Sequence, residues 1–319
     1  MSGNTVAVLV EHRDGVVAQP TLENLTLARS LGEPVAVWLG EPPSDEASAT
    51  LGAYGAGAVR VVELGAAGRL PKVRAAAVGA ATPDAPVVLM TSTFLNKEVA
   101  TLLALETGAG VVVDASGAEL ADGRVETEQT VFAATWNIRT RVVSERAIVA
   151  LRPNTTQATE VDGAGAATVE TVVFEAPEVP ERLVAVSAVE REEGVPLAEA
   201  RVVVSGGRGT NGDYALVRDL ADVLGGAVGA TRDATDEGWI SHEHMVGQTG
   251  TTVTPALYVA CGISGAVHHR GGMQASGTIV AVNIDPDAPI FEIADLGIVG
   301  DLNDVLPQAI ATLQEHKGA

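Results

Sequence analysis

The sequence predicts an α/β protein, with an N-terminal nucleotide-binding-like α/β domain followed by a C-terminal domain on a doubly wound parallel sheet. Three observations predict it. Short apolar runs alternate with amphipathic stretches through the first half, the pattern of successive β–α units. Aromatic residues are 3% of the chain while alanine, valine and glycine abound, which suits helices lying close on a parallel sheet. At 319 residues, 46% of them hydrophobic, the chain exceeds one ordinary domain and can fill two cores.

Residues 6–10 read as a strand and 21–31 as a helix, because Leu22, Leu25, Ala28 and Leu31 recur along one face. Residues 34–39 form the next strand, and 47–54, 59–63, 87–90 and 97–107 continue the alternation. The apolar runs at 110–114, 131–134 and 147–151 lack comparable helices between them, so hairpin-like or mixed strands are expected there. Residues 168–175 read as one more strand. Ala176-Pro177, Val179-Pro180 and the charged run Glu190-Arg191-Glu192-Glu193-Gly194 then break the composition. A linker is expected near 176–198, dividing a domain at 1–190 from one at 198–319.

The second domain opens with a strand at 201–205, a glycine turn, and a helix at about 213–224 with Leu216, Leu220, Val223 and Leu224 inward. Strands follow at Ala227–Ala230, Leu257–Cys261, Thr278–Asn283 and residues 297–299. In the closing helix Val305, Leu306, Ala309, Ile310 and Leu313 share a face.

A formal charge of −21 argues against nucleic acid or an anionic membrane surface as the main partner. Its plain reading is solubility, and it selects no partner. The single cysteine, Cys261, can form no internal disulfide and reads as a small core residue rather than a nucleophile. The opening MSGNTVAVLVEH lacks a basic leader and no apolar run reaches the length of a membrane span, so the expected location is cytoplasmic, without membrane insertion.

The most informative stretch is 257–287, LYVACGISGAVHHRGGMQASGTIVAVNIDPD, where two apolar strands flank a glycine-rich turn. Missing β-carbons at Gly262 and Gly265 are expected to let a diphosphate approach the main chain, at the strand ends where open α/β sheets bind ligands. Arg208, in Ser205-Gly206-Gly207-Arg208-Gly209, offers a fork of donors to a phosphate, or is simply an exposed arginine on a turn. Thr231 and Arg232 follow a strand and can face one ligand; otherwise Arg232 is surface ion-pair material. Val246-Gly247-Gln248-Thr249-Gly250 is an ordinary polar loop or a set of specific donors. Asn283 and Asp301 sit at strand ends, and helix capping is the rival for Asp301. His242-Glu243-His244 alternates ligand types, but no further ligand sits at a recognisable spacing, so a solvated loop is expected and no metal. No Walker sequence, catalytic carboxylate pair or nucleophile elbow appears, and no catalytic residue is assigned.

Taken in order, SGGRG, VGQTG, GISGAVHH and the segment APIFEIADLGIVGDL at 288–302 resemble the electron transfer flavoprotein alpha-subunit family. The likeness runs almost continuously through the C-terminal third, and more thinly through the first domain by strand order and ALRPNTT at 150–156. It implies an FAD-binding C-terminal domain in which Arg208 contacts the flavin nucleotide and Thr231 hydrogen-bonds the cofactor. Arg232 would lie over the isoalloxazine, favouring reduced, anionic flavin and raising its potential. Val246, Gly247, Gln248 and Thr249 would approach the ring, with the Thr249 hydroxyl near N5. The backbone of Ser264, Gly265, Ala266, Val267, His268 and His269 would wrap the pyrophosphate and ring, and the Ser264 hydroxyl would add a donor. The His269 side chain would donate to the pyrimidine carbonyl. Asn283 and Asp301, with the backbone of Leu302, would take the ribose at the AMP end. The chain departs from the family pattern at Thr251, where lysine or arginine is frequent, and at His268, usually glutamine.

The resemblance implies a heterodimer with a beta subunit that holds AMP, taking electrons from flavoprotein dehydrogenases such as those acting on acyl-CoA in fatty acid beta-oxidation. A quinone reductase-type acceptor would receive them. The first domain would dock partners, or be structural with a vestigial pocket. An NADH-linked electron-bifurcating complex and a nonredox nucleotide-binding regulator are the alternatives.

Overall fold

A computed structural model describes residues 4–132, 135–186 and 195–317. The charged run at 190–194 and the end of the 131–134 run lie outside them. The chain divides into two compact units, Met1–Gln129 with Asn137–Glu190, and Thr130–Trp136 with Arg191–Ala319.

In the first unit the chain runs β1 (Thr5–Leu9), β2 (His12–Arg13), β3 (Val16–Val17), α1 (Gln19–Leu31), β4 (Glu33–Leu39), α2 (Asp45–Ala53) and β5 (Ala58–Val62). It continues through α3 (Pro71–Ala81), β6 (Val87–Thr91), α4 (Phe94–Thr107), β7 (Gly110–Ala121), β8 (Arg124–Val131), β9 (Trp136–Arg141), β10 (Ala147–Leu151) and β11 (Thr168–Thr171). Among the described residues one sheet has the order β11-β5-β4-β1-β6-β10-β7-β8-β9, and β2 and β3 pair apart from it. The sheet is parallel from β11 to β7 and turns antiparallel at β7–β8, the mixed ending the apolar runs predicted.

Local chemistry sets the helix limits. Pro20 and Pro71 stand in the first turns of α1 and α3, where no amide hydrogen is missed. Thr93 caps α4 by accepting from Asn96 N, and α4 ends at left-handed Gly108. Two apolar layers cover the sheet. Leu25, Leu51, Val8 and Leu89 pack on one face, and Val78, Leu103, Met90 and Ile148 on the other. Each fully buried leucine contributes about 2 kcal/mol.

The second unit contains β12 (Val202–Gly206), α5 (Ala215–Leu224), β13 (Ala227–Ala230), α6 (Arg232–Asp236), β14 (Leu257–Cys261), α7 (Val267–Met273), β15 (Thr278–Asn283), β16 (Leu296–Val299) and α8 (Leu302–Lys317). All five strands are parallel, in the order β13-β12-β14-β15-β16. On α5 the buried face is Val217, Leu220 and Ala221, with Leu216 and Leu224 packed partly against it; Val223 is only half-buried, one step round from the inward face expected. Leu302 and Leu306 anchor α8 on the same layer. No described helix is long and apolar enough to cross a membrane.

Candidate functional site

From β12 the chain moves to β13 on one side and later to β14 on the other, so the strand order reverses between β12 and β14. Ligands of open α/β sheets bind at the carboxyl ends of the strands at such a point. The turns leaving β12 and β14 meet there through their main chains. Gly207 N donates to Cys261 O at 2.9 Å and Gly209 N to Gly262 O at 3.0 Å. A β-carbon on Gly209 would lie 2.7 Å from Gly262 Cα, and one on Gly265, at φ +88°, 2.4 Å from Ile290 N. The absent β-carbons at Gly262 and Gly265 are expected from the sequence to admit a diphosphate; instead their space is filled by neighbouring backbone, so close loop packing is what demands glycine here.

Past Gly262 the main chain offers the donors. Among the described residues the N–H groups of Ser264, Gly265, Ala266, Val267 and His268 donate to no protein acceptor, while Ala266 O receives His269 N and Arg270 N as α7 begins. Ser264, Ala266, Val267 and His268 are exposed. A run of free N–H groups entering a helix is positively polarised and suits an anion.

Thr231 adds a hydroxyl. It is 9% exposed, its N donates to Gly206 O at 3.0 Å, and its buried Oγ1 has no partner. Such a hydroxyl costs about 1–3 kcal/mol unless a ligand supplies the missing bond. Arg208 and Arg232 emerge beside it and are largely exposed, with Arg208 Nε 3.3 Å from Asp233 Oδ2 and Arg232 Nε 3.2 Å from Asp236 Oδ2. Asp233 and Asp236 were not singled out in the sequence, and both temper the positive charge of this edge.

Residues 246–250 lie over α7. Val246 N donates to Ala230 O at 2.9 Å and Gln248 N to His268 O at 3.0 Å. Gly247 packs so closely on Gly272 that a β-carbon there would lie 2.4 Å from Gly247 Cα. The Gln248 and Thr249 side chains are exposed.

His269 differs from expectation. It is 6% exposed, with Nδ1 3.1 Å from Val246 O and Nε2 2.9 Å from the Tyr258 hydroxyl. Burial pushes its pKa down to about 4, against a smaller opposing effect of the Val246 carbonyl. The ring is neutral with both nitrogens engaged, so it has no spare N–H for a flavin carbonyl. Tyr258, fully buried on β14, was not singled out in the sequence.

Asn283 is buried, whereas Asp301 is exposed, and both bond neighbouring main chain. Asn283 Nδ2 donates to Ile263 O at 2.8 Å and its Oδ1 accepts from Asp285 N at 3.0 Å, which ties the glycine turn to β15. The Asp301 carboxylate accepts from Asn303 N at 2.8 Å and its carbonyl from Val305 N at 3.0 Å, the capping role held as its rival. The Leu302 side chain packs in the α5–α8 layer. Asp301 stays exposed, and its second carboxylate oxygen accepts no bond among the described residues.

A family profile described as the electron transfer flavoprotein domain matches residues 6–177, and one described as the electron transfer flavoprotein FAD-binding domain matches residues 196–274. Over 98% of both chains, the sequence is 40% identical to the electron transfer flavoprotein subunit alpha of Mycobacterium leprae. The same-named protein of Bacillus subtilis is 35% identical over 96% of each chain. The chain belongs to the electron transfer flavoprotein alpha-subunit family. The FAD-binding match takes in Arg208, Thr231, Arg232, residues 246–249 and residues 264–269, and stops short of Asn283, Asp301 and Leu302.

The FAD-binding assignment fits the groups at this edge: unpaired main-chain donors, a buried unpaired hydroxyl and two exposed guanidinium groups. Cys261 lies beneath them, fully buried, its thiol pushed up to about 12 by desolvation, and so is unreactive. Among the described residues no cluster of three or more metal-ligating side chains occurs; His244 Nδ1 lies 2.8 Å from Val228 O.

Proposed function

We propose that the chain is the alpha subunit of a heterodimeric electron carrier that binds FAD in its second domain and performs no substrate chemistry. It takes electrons from flavoprotein dehydrogenases, such as those acting on acyl-CoA, and passes them to a quinone reductase-type acceptor. A beta subunit holding AMP completes the heterodimer, and the assembly works in the cytoplasm. Residues 1–190 serve as the docking domain and 198–319 as the flavin domain.

The observation that carries the FAD reading is the run of unpaired N–H groups from Ser264 to His268 beside the unpartnered Thr231 hydroxyl, inside the FAD-binding match. These N–H groups and Arg208 hold the pyrophosphate, and Thr231 supplies a bond to the cofactor. Gln248, Thr249 and Arg232 face the ring, with Val246 and Gly247 as its main-chain floor. Bound FAD supplies reversible electron transfer, and the surrounding residues set its potential through hydrogen bonds and charge. With Thr251 in place of a basic residue and Asp233 and Asp236 beside the arginines, the local positive charge is modest, which favours reduced flavin less strongly.

The test is to purify the chain with a co-expressed beta subunit, add FAD, and record the visible spectrum during stepwise reduction. A flavin spectrum bleached by an acyl-CoA dehydrogenase with its substrate is expected. A heterodimer that stays colourless in excess FAD refutes the reading.

A further inference from the structure

We propose that Tyr258 is a positioning residue of the flavin site: its hydroxyl donates to His269 Nε2 and holds the ring in place, and His269 in turn fixes the Val246 carbonyl and with it residues 246–250. The proposal deepens the FAD reading and rests on it for its effect on the cofactor.

Hydrogen-bond chemistry sets the direction of the chain. The Val246 carbonyl can only accept, so His269 Nδ1, 3.1 Å away, carries the hydrogen. A neutral imidazole then has a bare lone pair at Nε2, and the Tyr258 hydroxyl, 2.9 Å from it, must donate. Both side chains are buried, where an unmade bond costs about 1–3 kcal/mol, so neither can exchange its partner for water. Burial disfavours the charged forms of both groups, which agrees with a neutral pair.

Three elements meet through this pair. Tyr258 belongs to β14, His269 to α7, and Val246 N reaches Ala230 O at the end of β13. With Val246 held at both its N–H and its carbonyl, the Gly247–Gly250 turn leaves the sheet in a fixed direction. Gln248 N on His268 O adds a second tie to α7. His269 therefore acts on a flavin through loop placement, not through its own charge or N–H.

Three substitutions in the full-length chain test this. Tyr258→Phe keeps the volume and removes the donor. It is expected to leave the Nε2 lone pair without its donor, shifting the Nε2 resonance in NMR of ¹⁵N-histidine, and to weaken FAD binding, followed by flavin fluorescence quenching, by about tenfold. His269→Asn places an amide near the old Nδ1 and keeps the Val246 bond, whereas His269→Gln places it near Nε2. FAD binding is expected to be tighter in the asparagine variant. A wild-type Nε2 resonance and affinity in Tyr258→Phe, or tighter binding by the glutamine variant, overturns the proposal. If Tyr258→Phe does not fold, the two His269 variants decide. Should the wild-type chain bind no FAD, the cofactor reading fails by itself; the tautomer in the apo chain still tests the pair, and an Nε2–H ring overturns it.

Discussion

The two sheets reverse their strand order in the same way, yet their carboxyl edges are opposite in kind. In the first unit the reversal lies between β1 and β6, and side chains there bond one another. Asn96 Nδ2 donates to Glu11 Oε1 at 2.8 Å and Thr91 O at 2.9 Å, and Ser92 Oγ to Asp114 Oδ1 at 2.8 Å, while Lys97 Nζ sits 2.7 Å from Asp114. Within this group Asn96 Oδ1 has no partner. In the second unit the corresponding edge leaves a run of main-chain donors unpaired. Topology says where a ligand can sit; the pairing state of the polar groups says which edge receives one.

The largest contrast concerns the turns. Gly262→Ala would place a β-carbon 2.7 Å from Gly209 Cα at a φ of +61°, which should cost about 3 kcal/mol in urea unfolding and reduce FAD retention. Gly117→Ala in β7 meets nothing within 4 Å and should stay within about 0.5 kcal/mol of wild type. Equal costs would break the contrast between a packed turn and an open strand position.

His269 makes stability depend on pH in the second unit. Its pKa of about 4 lies below the ordinary 6.5, so the unfolded chain binds a proton that the folded ring refuses. The contribution is complete above pH 6.5 and is lost as pH falls toward 4, on the order of 3 kcal/mol in all. His269→Asn should flatten urea-unfolding stability against pH across that window by the same amount.

A smaller, sign-opposed pair sharpens the comparison of edges. Thr231→Val removes a hydroxyl without a partner, so the apo protein should hold or gain about 1 kcal/mol while FAD binds about fivefold more weakly. Ser92→Ala removes a satisfied hydroxyl, which should cost about 1–2 kcal/mol and leave FAD affinity unchanged. Calorimetry with and without FAD reads both. The smallest stability effect is Arg208→Ala, below about 0.5 kcal/mol because its ion pair with Asp233 is exposed, with FAD affinity falling about tenfold at low salt and less at high salt.

The strongly apolar strands and the order of the second unit were legible in the sequence, because parallel strands covered on both faces are continuous runs of valine, alanine and isoleucine. Helix α3 was not: PKVRAAAVGAA is rich in small residues and has little contrast between its faces. Strands β8 and β9 escaped for another reason, since RVETEQTV and WNIRTR are too polar to declare a buried face. At the site, the motifs located the loops but not the direction of the side chains. Asn283 and His269 look like ligand contacts by position, and both are consumed within the fold. A tyrosine in the apolar run LYVAC was the available signal, because a buried phenol must find a partner.

The contact between Gly209 and Gly262 has a consequence for inheritance. Each residue occupies the volume that a methyl group on the other would need. Neither position can drift alone, and a change at one obliges the whole adjoining turn to move. The pair is thus a mutual lock on mutational history, placing two stretches of chain far apart in sequence under a single constraint.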